Sequence, residues 1–427
     1  MSTQLTGATV VSVADGTVET RDVFVADGRV SGAPDAAERV DVSGCLVIAG
    51  NVCAHHHLYS ALARGMPGPA EAPRDFPEIL ERVWWRLDRA LDHETIRLSA
   101  LLGCVEAARA GTTTVVDHHA SPEAIDGSLD ALAEGIETAG LRAAVCYEAT
   151  DRHGEARGLA GVAENARFAR DNHRPLVRAM AGAHASFTLG PATLDALVES
   201  ARAAGAPIHV HVAEDACDQR DALERYGTRV VHRLRAAGAL SEGDVIAHGV
   251  HLDDSEVEAL RASEAWVAHN PRSNMNNRVG RAPVAALGPR VALGTDGIDG
   301  DMFAEARACY LVAREASHET GPAFALERLA TGARVAGALF GEPALGTLEP
   351  GAPADLVVLD YRPPTPLRDA NVAGHFVFGM GAWSVRDVMV AGRWVVRDRR
   401  HVLVDEDELA ARCREAAPRL WARMEDF

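Results

Sequence analysis

Four short strings of imidazoles and carboxylates in this chain offer the ligands of a metal centre. His55-His56-His57 closes a short apolar run, and because side chains two apart on a strand share a face, His55 and His57 can reach one ion while His56 points away. His209 and His211, in Ile-His-Val-His-Val-Ala-Glu, repeat that pattern, and Glu214 follows the second histidine by three residues. His248 in Ala-His-Gly and Asp296 in Gly-Thr-Asp-Gly stand at the ends of later runs. Imidazoles with one carboxylate form an N/O set suited to one divalent ion, zinc first, with iron or manganese as substitutes. Such an ion lowers the pKa of bound water from about 15.7 toward about 7 and supplies hydroxide at neutral pH.

These residues need elements that bring them together. The middle of the chain reads as strand, loop and Ala/Arg/Glu-rich helix, repeated, with eight strand-like runs: 51–57, 113–118, 142–148, 177–184, 207–212, 244–248, 265–269 and 290–296. That alternation is the arithmetic of an α/β chain folded as a (β/α)8 TIM barrel. Each run ends in, or within two residues of, His, Glu or Asp, and in a barrel the strand C-termini converge on one mouth. Both chain ends have a different texture, short β-branched runs broken by turns such as Asp15-Gly16 and Asp27-Gly28. They predict a small composite β-sandwich domain from 1–50 and 346–427, flanking a barrel over 51–345. The segment Asp405-Glu-Asp-Glu predicts the acidic start of a final helix.

Composition narrows the chemistry. All 43 basic residues among the 427 are Arg, so no Lys is present to form a Schiff base or to be carboxylated between two metals. With 61 acidic residues the net charge is −18, which disfavours nucleic acid and anionic membranes and leaves small molecules as partners. The basic run at Arg393, Arg397, Arg399 and Arg400 then reads as a solvated strand edge. No run approaches the roughly 18 to 20 apolar residues of a membrane span, and Met1 to Gly7 lacks the pattern of a signal peptide. Seven scattered cysteines without Cys-x-x-Cys argue against a disulfide framework, and the chain is expected in the cytoplasm as a homo-oligomer, by default a homodimer.

The combination His-x-His, His-x-x-Glu, Ala-His-Gly and Gly-Thr-Asp resembles the mononuclear aminohydrolase and deaminase branch of the amidohydrolase superfamily. Longer strings, Asn51-Val-Cys-Ala-His-His-His-Leu-Tyr-Ser, Trp84-Trp-Arg-Leu-Asp-Arg, His269-Asn-Pro-Arg-Ser-Asn-Met-Asn-Asn and Gly374-His-Phe-Val-Phe-Gly-Met-Gly, are similar to the SsnA-type aminohydrolases within it. The resemblance implies His55, His57, His211 and Asp296 as metal ligands, Glu214 as proton shuttle, and His248 as partner of the attacking water. It implies a hydrolase that releases ammonia or an amine from an aminated N-heterocycle such as a purine, pyrimidine, pterin or triazine. Glu214 favours deamination over dechlorination, because an amine must be protonated to leave. Chlorohydrolase or cyclic amidohydrolase activity remains the nearest rival, and a non-catalytic metal- or ligand-binding protein the rival of another class. His184, His119, Glu148, Trp85 and His269 are candidate substrate contacts. Of His118, His119 and Glu148, all at strand ends, only some can face inward, and of Trp84 and Trp85, adjacent on a helix, at most one is expected to face the substrate.

Overall fold

The computed structural model describes residues 2–32 and 37–427. Eight parallel strands form its centre: Asn51–His56, Thr112–His119, Arg142–Tyr147, Val177–Ala179 with Ala181–Ala185, Ile208–Val212, Val245–His248, Trp266–His269 and Val291–Leu293. All eight coincide with the runs expected from sequence, shifted by a few residues at their ends.

Their ladders fall into two parallel sheets. Strands one to three pair in order with Val177–Ala179, and Ala181–Ala185 pairs in order with strands five to eight. The fourth strand is interrupted at Met180, where it passes from one sheet to the other. The sheets meet at two isolated parallel bridges, Ala149 with Ala183 and His56 with Asp296, so the continuous ladder of a closed barrel is not formed. Glycines permit the close approach at both seams. A Cβ on Gly182 would stand 2.3 Å from the Tyr147 carbonyl oxygen, and one on Gly294 would stand 2.8 Å from His55 Cβ. At the second seam the N–H groups of Thr295 and Asp296 both donate to the His55 carbonyl, at 2.9 and 3.0 Å. The eighth strand is thereby fixed beside the first, and Asp296 beside His55 and His57.

Helices cover the sheets because their apolar faces find partners there. Helix His93–Arg109 is capped by a reciprocal Asp92–Thr95 pair, and its Ile96, Leu101 and Cys104 join strand residues such as Val115 and Val145 in one buried cluster.

The chain ends form two further sheets. One has four strands, Thr3–Thr6, Val23–Ala26, Arg29–Ser31 and Glu38–Asp41; the other has seven, including Leu46–Ala49, Leu356–Leu359 and Val385–Val390. Both contribute to one apolar cluster that includes Leu5, Val23 and Val25 from the first and Val47, Leu356 and Met389 from the second. Asp27 and Gly28, both at positive φ (51° and 80°), turn the hairpin between Val23–Ala26 and Arg29–Ser31, as the Asp-Gly signal predicts. A buried bidentate pair ties this region to the parallel strands: Arg142 Nε and Nη2 donate to Asp355 at 2.9 and 3.2 Å. The final helix, Glu406–Arg423, is capped by Asp405 and begins with three acidic residues, as expected.

Candidate active site

The C-terminal ends of the parallel strands surround a cavity. His55, His57, His211 and Asp296 converge at its base. Asp296 Oδ1 lies 3.0 Å from His57 Nε2 and 3.5 Å from His55 Nε2, and His57 Nε2 lies 3.1 Å from His211 Nε2. Each imidazole is oriented from behind through Nδ1. His57 Nδ1 donates to the His118 carbonyl at 2.6 Å, His211 Nδ1 to the His184 carbonyl at 2.7 Å, and His55 Nδ1 lies 2.9 Å from His209 Nε2. A carbonyl can only accept, so the Nε2 atoms of His57 and His211 turn lone pairs toward one another and toward a carboxylate. Three convergent imidazole nitrogens and one carboxylate are the donor set of a divalent cation, and buried His55 Nε2 has no hydrogen-bond partner among the described residues. The residues fit the metal that the sequence motifs imply.

Electrostatics agree. Burial holds His55 and His211 well below the ordinary imidazole value, which keeps them neutral as ligation requires. Burial would also lower His57, but the hydrogen bond and charge of Asp296 outweigh it and raise His57 to about 9, so a cation bound there would have to displace its Nε2 proton. Burial works against ionisation of Asp296 too, yet the adjoining His55 and His57 imidazoles hold it well below the usual carboxylate range. Glu214 lies on the other side of the balance. Burial, followed by the charge of Asp296, raises it well above its ordinary value, so its carboxyl can hold a proton beside an ionised neighbour. Asn277 Nδ2 donates to Glu214 Oε1 at 3.3 Å. His248 Nε2 faces the gap between Glu214 Oε2 (3.5 Å) and Asp296 Oδ2 (4.0 Å), while its Nδ1 lies 2.8 Å from Asn274 Oδ1.

Three residues of the site have strained backbone. Ala213, His248 and Asp296 all have positive φ (49°, 74° and 54°), a region costly for side chains bearing Cβ. Local contacts hold these conformations: the Asp218 carboxylate accepts from the N–H groups of Ala213 (2.8 Å) and Phe187 (3.1 Å), and Ser273 Oγ donates to Asp296 Oδ2. The turns lift Glu214, His248 and Asp296 out of strand geometry and aim them across the mouth.

Trp84, Trp85, Asp88, Glu148 and His184 line the far wall. Trp84 and Trp85 both reach it, although adjacent helical residues were expected to diverge. Leu80–Trp84 is a π-helical turn, whose wider winding brings both indoles to the cavity. Asp88 and Glu148 are buried and bridged by Arg152 Nη2, at 2.8 and 3.1 Å.

Two candidate substrate contacts lie off the cavity lining. His119 does not line the cavity: strand alternation sends His118 inward, 4.6 Å from His211 between ring centroids, and turns His119 away to Ser121 Oγ at 3.0 Å. His269 is buried at its strand end and also lies off the cavity, because the chain leaves that strand directly into helix Pro271–Asn276. That helix delivers Ser273 and Asn276 instead, with Asn277 just beyond it. Of the residues whose site position was not singled out, Ser273 and Asn277 sit four apart on one helical face, a spacing visible in Ser-Asn-Met-Asn-Asn; Asp88 and Arg152 carried no such signal.

Comparison with known proteins gives the same picture. Residues 46–395 match the Amidohydrolase family. A 5-methylthioadenosine/S-adenosylhomocysteine deaminase of Pelotomaculum thermopropionicum is 33% identical over 408 residues, 89% of this chain and 87% of that protein. A 5'-deoxyadenosine deaminase of Methanosarcina mazei is 31% identical over 425 residues, covering 96% and 94%. Among solved structures, a zinc-bound adenosine deaminase from Xanthomonas campestris superposes with a TM-score of 0.85 at 24% identity, over 98% of both chains. A zinc-complexed atrazine chlorohydrolase from Arthrobacter aurescens gives 0.84 at 21% identity, over 97% of this chain and 100% of that one. At that identity the likeness is one of fold.

Proposed function

This chain belongs to the amidohydrolase family, and from that premise we propose that it is a metal-dependent aminohydrolase that releases ammonia from an aminated N-heterocycle. The observation that carries the reading is the placement of Glu214, whose carboxylate stands 3.5 Å from His248 beside the convergent ligand set. We assign His55, His57, His211 and Asp296 to one divalent ion, zinc first, with iron or manganese as substitutes. When bound, the ion lowers the pKa of a water toward about 7 and so supplies a nucleophile at neutral pH.

The protein's own residues supply the rest. His248 and Asp296 orient the water toward the ring carbon that bears the amine. Glu214 takes one water proton and passes it to the neighbouring ring nitrogen. The new C–O bond becomes a carbonyl as the exocyclic C–N bond breaks, and the second water proton leaves with ammonia. Trp84, Trp85 and His184 present flat surfaces to a heterocycle and exclude water.

The reading extends to architecture. We take the two parallel sheets as halves of one (β/α)8 barrel over 51–345, and the terminal sheets as a β-sandwich domain of 1–50 and 346–427; Met1 and 33–36 lie outside the described residues. A homodimer is supported by the exposed side chains of Leu311, Phe378 and Trp383. A cytoplasmic location is supported by seven cysteines, all free.

The test is ammonia release by the zinc-loaded protein from adenosine, 5'-deoxyadenosine, 5'-methylthioadenosine, guanine, pterin, isocytosine and an aminotriazine. Release from at least one class is expected; no release from any would overturn the reading.

A further inference from the structure

The proton shuttle accounts for one ring nitrogen beside the reacting carbon, and the structure offers a partner for the second. Glu148 is 3% exposed yet lines the cavity. One of its carboxylate oxygens, a ring nitrogen of His184 and one of His211 all lie within 4.8 Å of each other. That places Glu148 on the wall beside the ligand candidate His211, at the depth where the reacting ring would lie rather than a sugar further out. It stands on a different wall from Glu214, at the end of the third strand, whereas Glu214 follows the fifth.

The carboxylate is held in place. Oε1 accepts from Arg152 Nη2 at 3.1 Å, and Oε2 lies 3.3 Å from His118 Nδ1. Arg152 also binds Asp88 Oδ2 at 2.8 Å and lies over the Trp85 ring at 4.8 Å, and it does not itself line the cavity. A carboxylate has about four acceptor positions, so Glu148 keeps capacity for a ligand N–H. A ligand offering only lone pairs there would leave a buried acceptor unpaired and face repulsion.

We propose that Glu148, positioned by Arg152, selects cyclic acylguanidines: rings whose amine-bearing carbon lies between one bare ring nitrogen and one ring N–H, as in guanine, pterin and isocytosine. This deepens the proposed function and rests on it. Glu214 delivers its proton to the bare nitrogen, Glu148 accepts from the ring N–H, and that N–H is unchanged in the product. In adenine the amine-bearing carbon lies between a bare nitrogen and a carbon, so Glu148 has no donor to meet.

The test compares kcat/KM of the zinc-loaded wild type for guanine, pterin and isocytosine with that for adenosine, 5'-deoxyadenosine and 5'-methylthioadenosine. A preference of at least about 100-fold for the first group is expected, since a site built to pair an N–H rejects analogues that lack it. E148Q should narrow that preference at least about tenfold with zinc content retained. A purely structural role would lower both groups alike. Preference for adenine substrates in the wild type, or an equal loss on both groups in E148Q, would overturn this proposal and leave the aminohydrolase reading standing. Silence on every compound would overturn both. The wild-type ratio decides the question even if E148Q fails to fold.

Discussion

The base of the cavity and its far wall are built differently. At the base, three of the four ligand candidates are anchored by the backbone: two imidazoles donate to carbonyls of neighbouring strands, and Asp296 sits in a turn locked to the His55 carbonyl, while His55 itself rests on the His209 imidazole. The far wall comes from the segment Phe76–Ala90 and the loop after the third strand, and buried side-chain charges hold it: Asp88, Arg152 and Glu148. A centre oriented by strand backbone tolerates little change. A wall held by side chains can be rebuilt for a new ring while the base stays constant. Reaction class therefore belongs to the base, and substrate choice to the wall.

Changes at the base should break activity most. Asp296→Asn removes the one ionised ligand candidate, so bound metal and turnover should fall together, checked by elemental analysis beside ammonia release. Glu214→Gln should keep the metal and cut kcat by about 10² to 10⁴, the usual worth of general acid–base help; unchanged turnover would remove Glu214 from the mechanism. His209→Ala removes the imidazole behind His55, and loss of such a supporting contact should weaken metal affinity about 10- to 100-fold, read by competition with a chelator. At the wall, Trp85→Ala should raise KM about tenfold with metal content intact, given that stacking of this kind is worth about 0.5 to 1.5 kcal/mol. A loss of metal in that variant would show the two regions to be coupled.

The smallest effect concerns Asp218, which shapes the turn before Glu214. Burial raises its pKa from 3.8 to about 7, against the backbone N–H bonds that favour the charged form. The folded state thus holds a proton that the unfolded chain releases, so this contribution is greatest below the ordinary carboxylate value and declines as pH rises toward 7. Urea unfolding between pH 4 and 7 should show a shallower decline in Asp218→Asn than in the wild type.

Much of the base was legible in the sequence, because strand alternation dictates which histidines share a face and strand ends dictate where they converge. The pairs His55/His57 and His209/His211 follow that rule, and so does His118, whose inward position displaces His119. Within one pair the rule does not assign depth: His211 reaches the centre, while His209 lies behind His55. The wall was less legible for a physical reason. Trp84 and Trp85 reach the cavity together through a π-helical turn that helical periodicity does not anticipate, and Asp88 and Arg152 meet across 64 residues through side-chain charge alone. The seams between the sheets likewise depend on glycine contacts and a strand break at Met180, which no hydrophobic pattern announces.

A single catalytic ion is in keeping with a chain that has no lysine to carboxylate between two metals. Metal can be titrated into chelated protein while ammonia release is measured. Activity should rise with occupancy and saturate at about one ion per chain, the stoichiometry of a mononuclear catalytic site. Saturation only at two ions, or full ammonia release from the chelated protein, would contradict it.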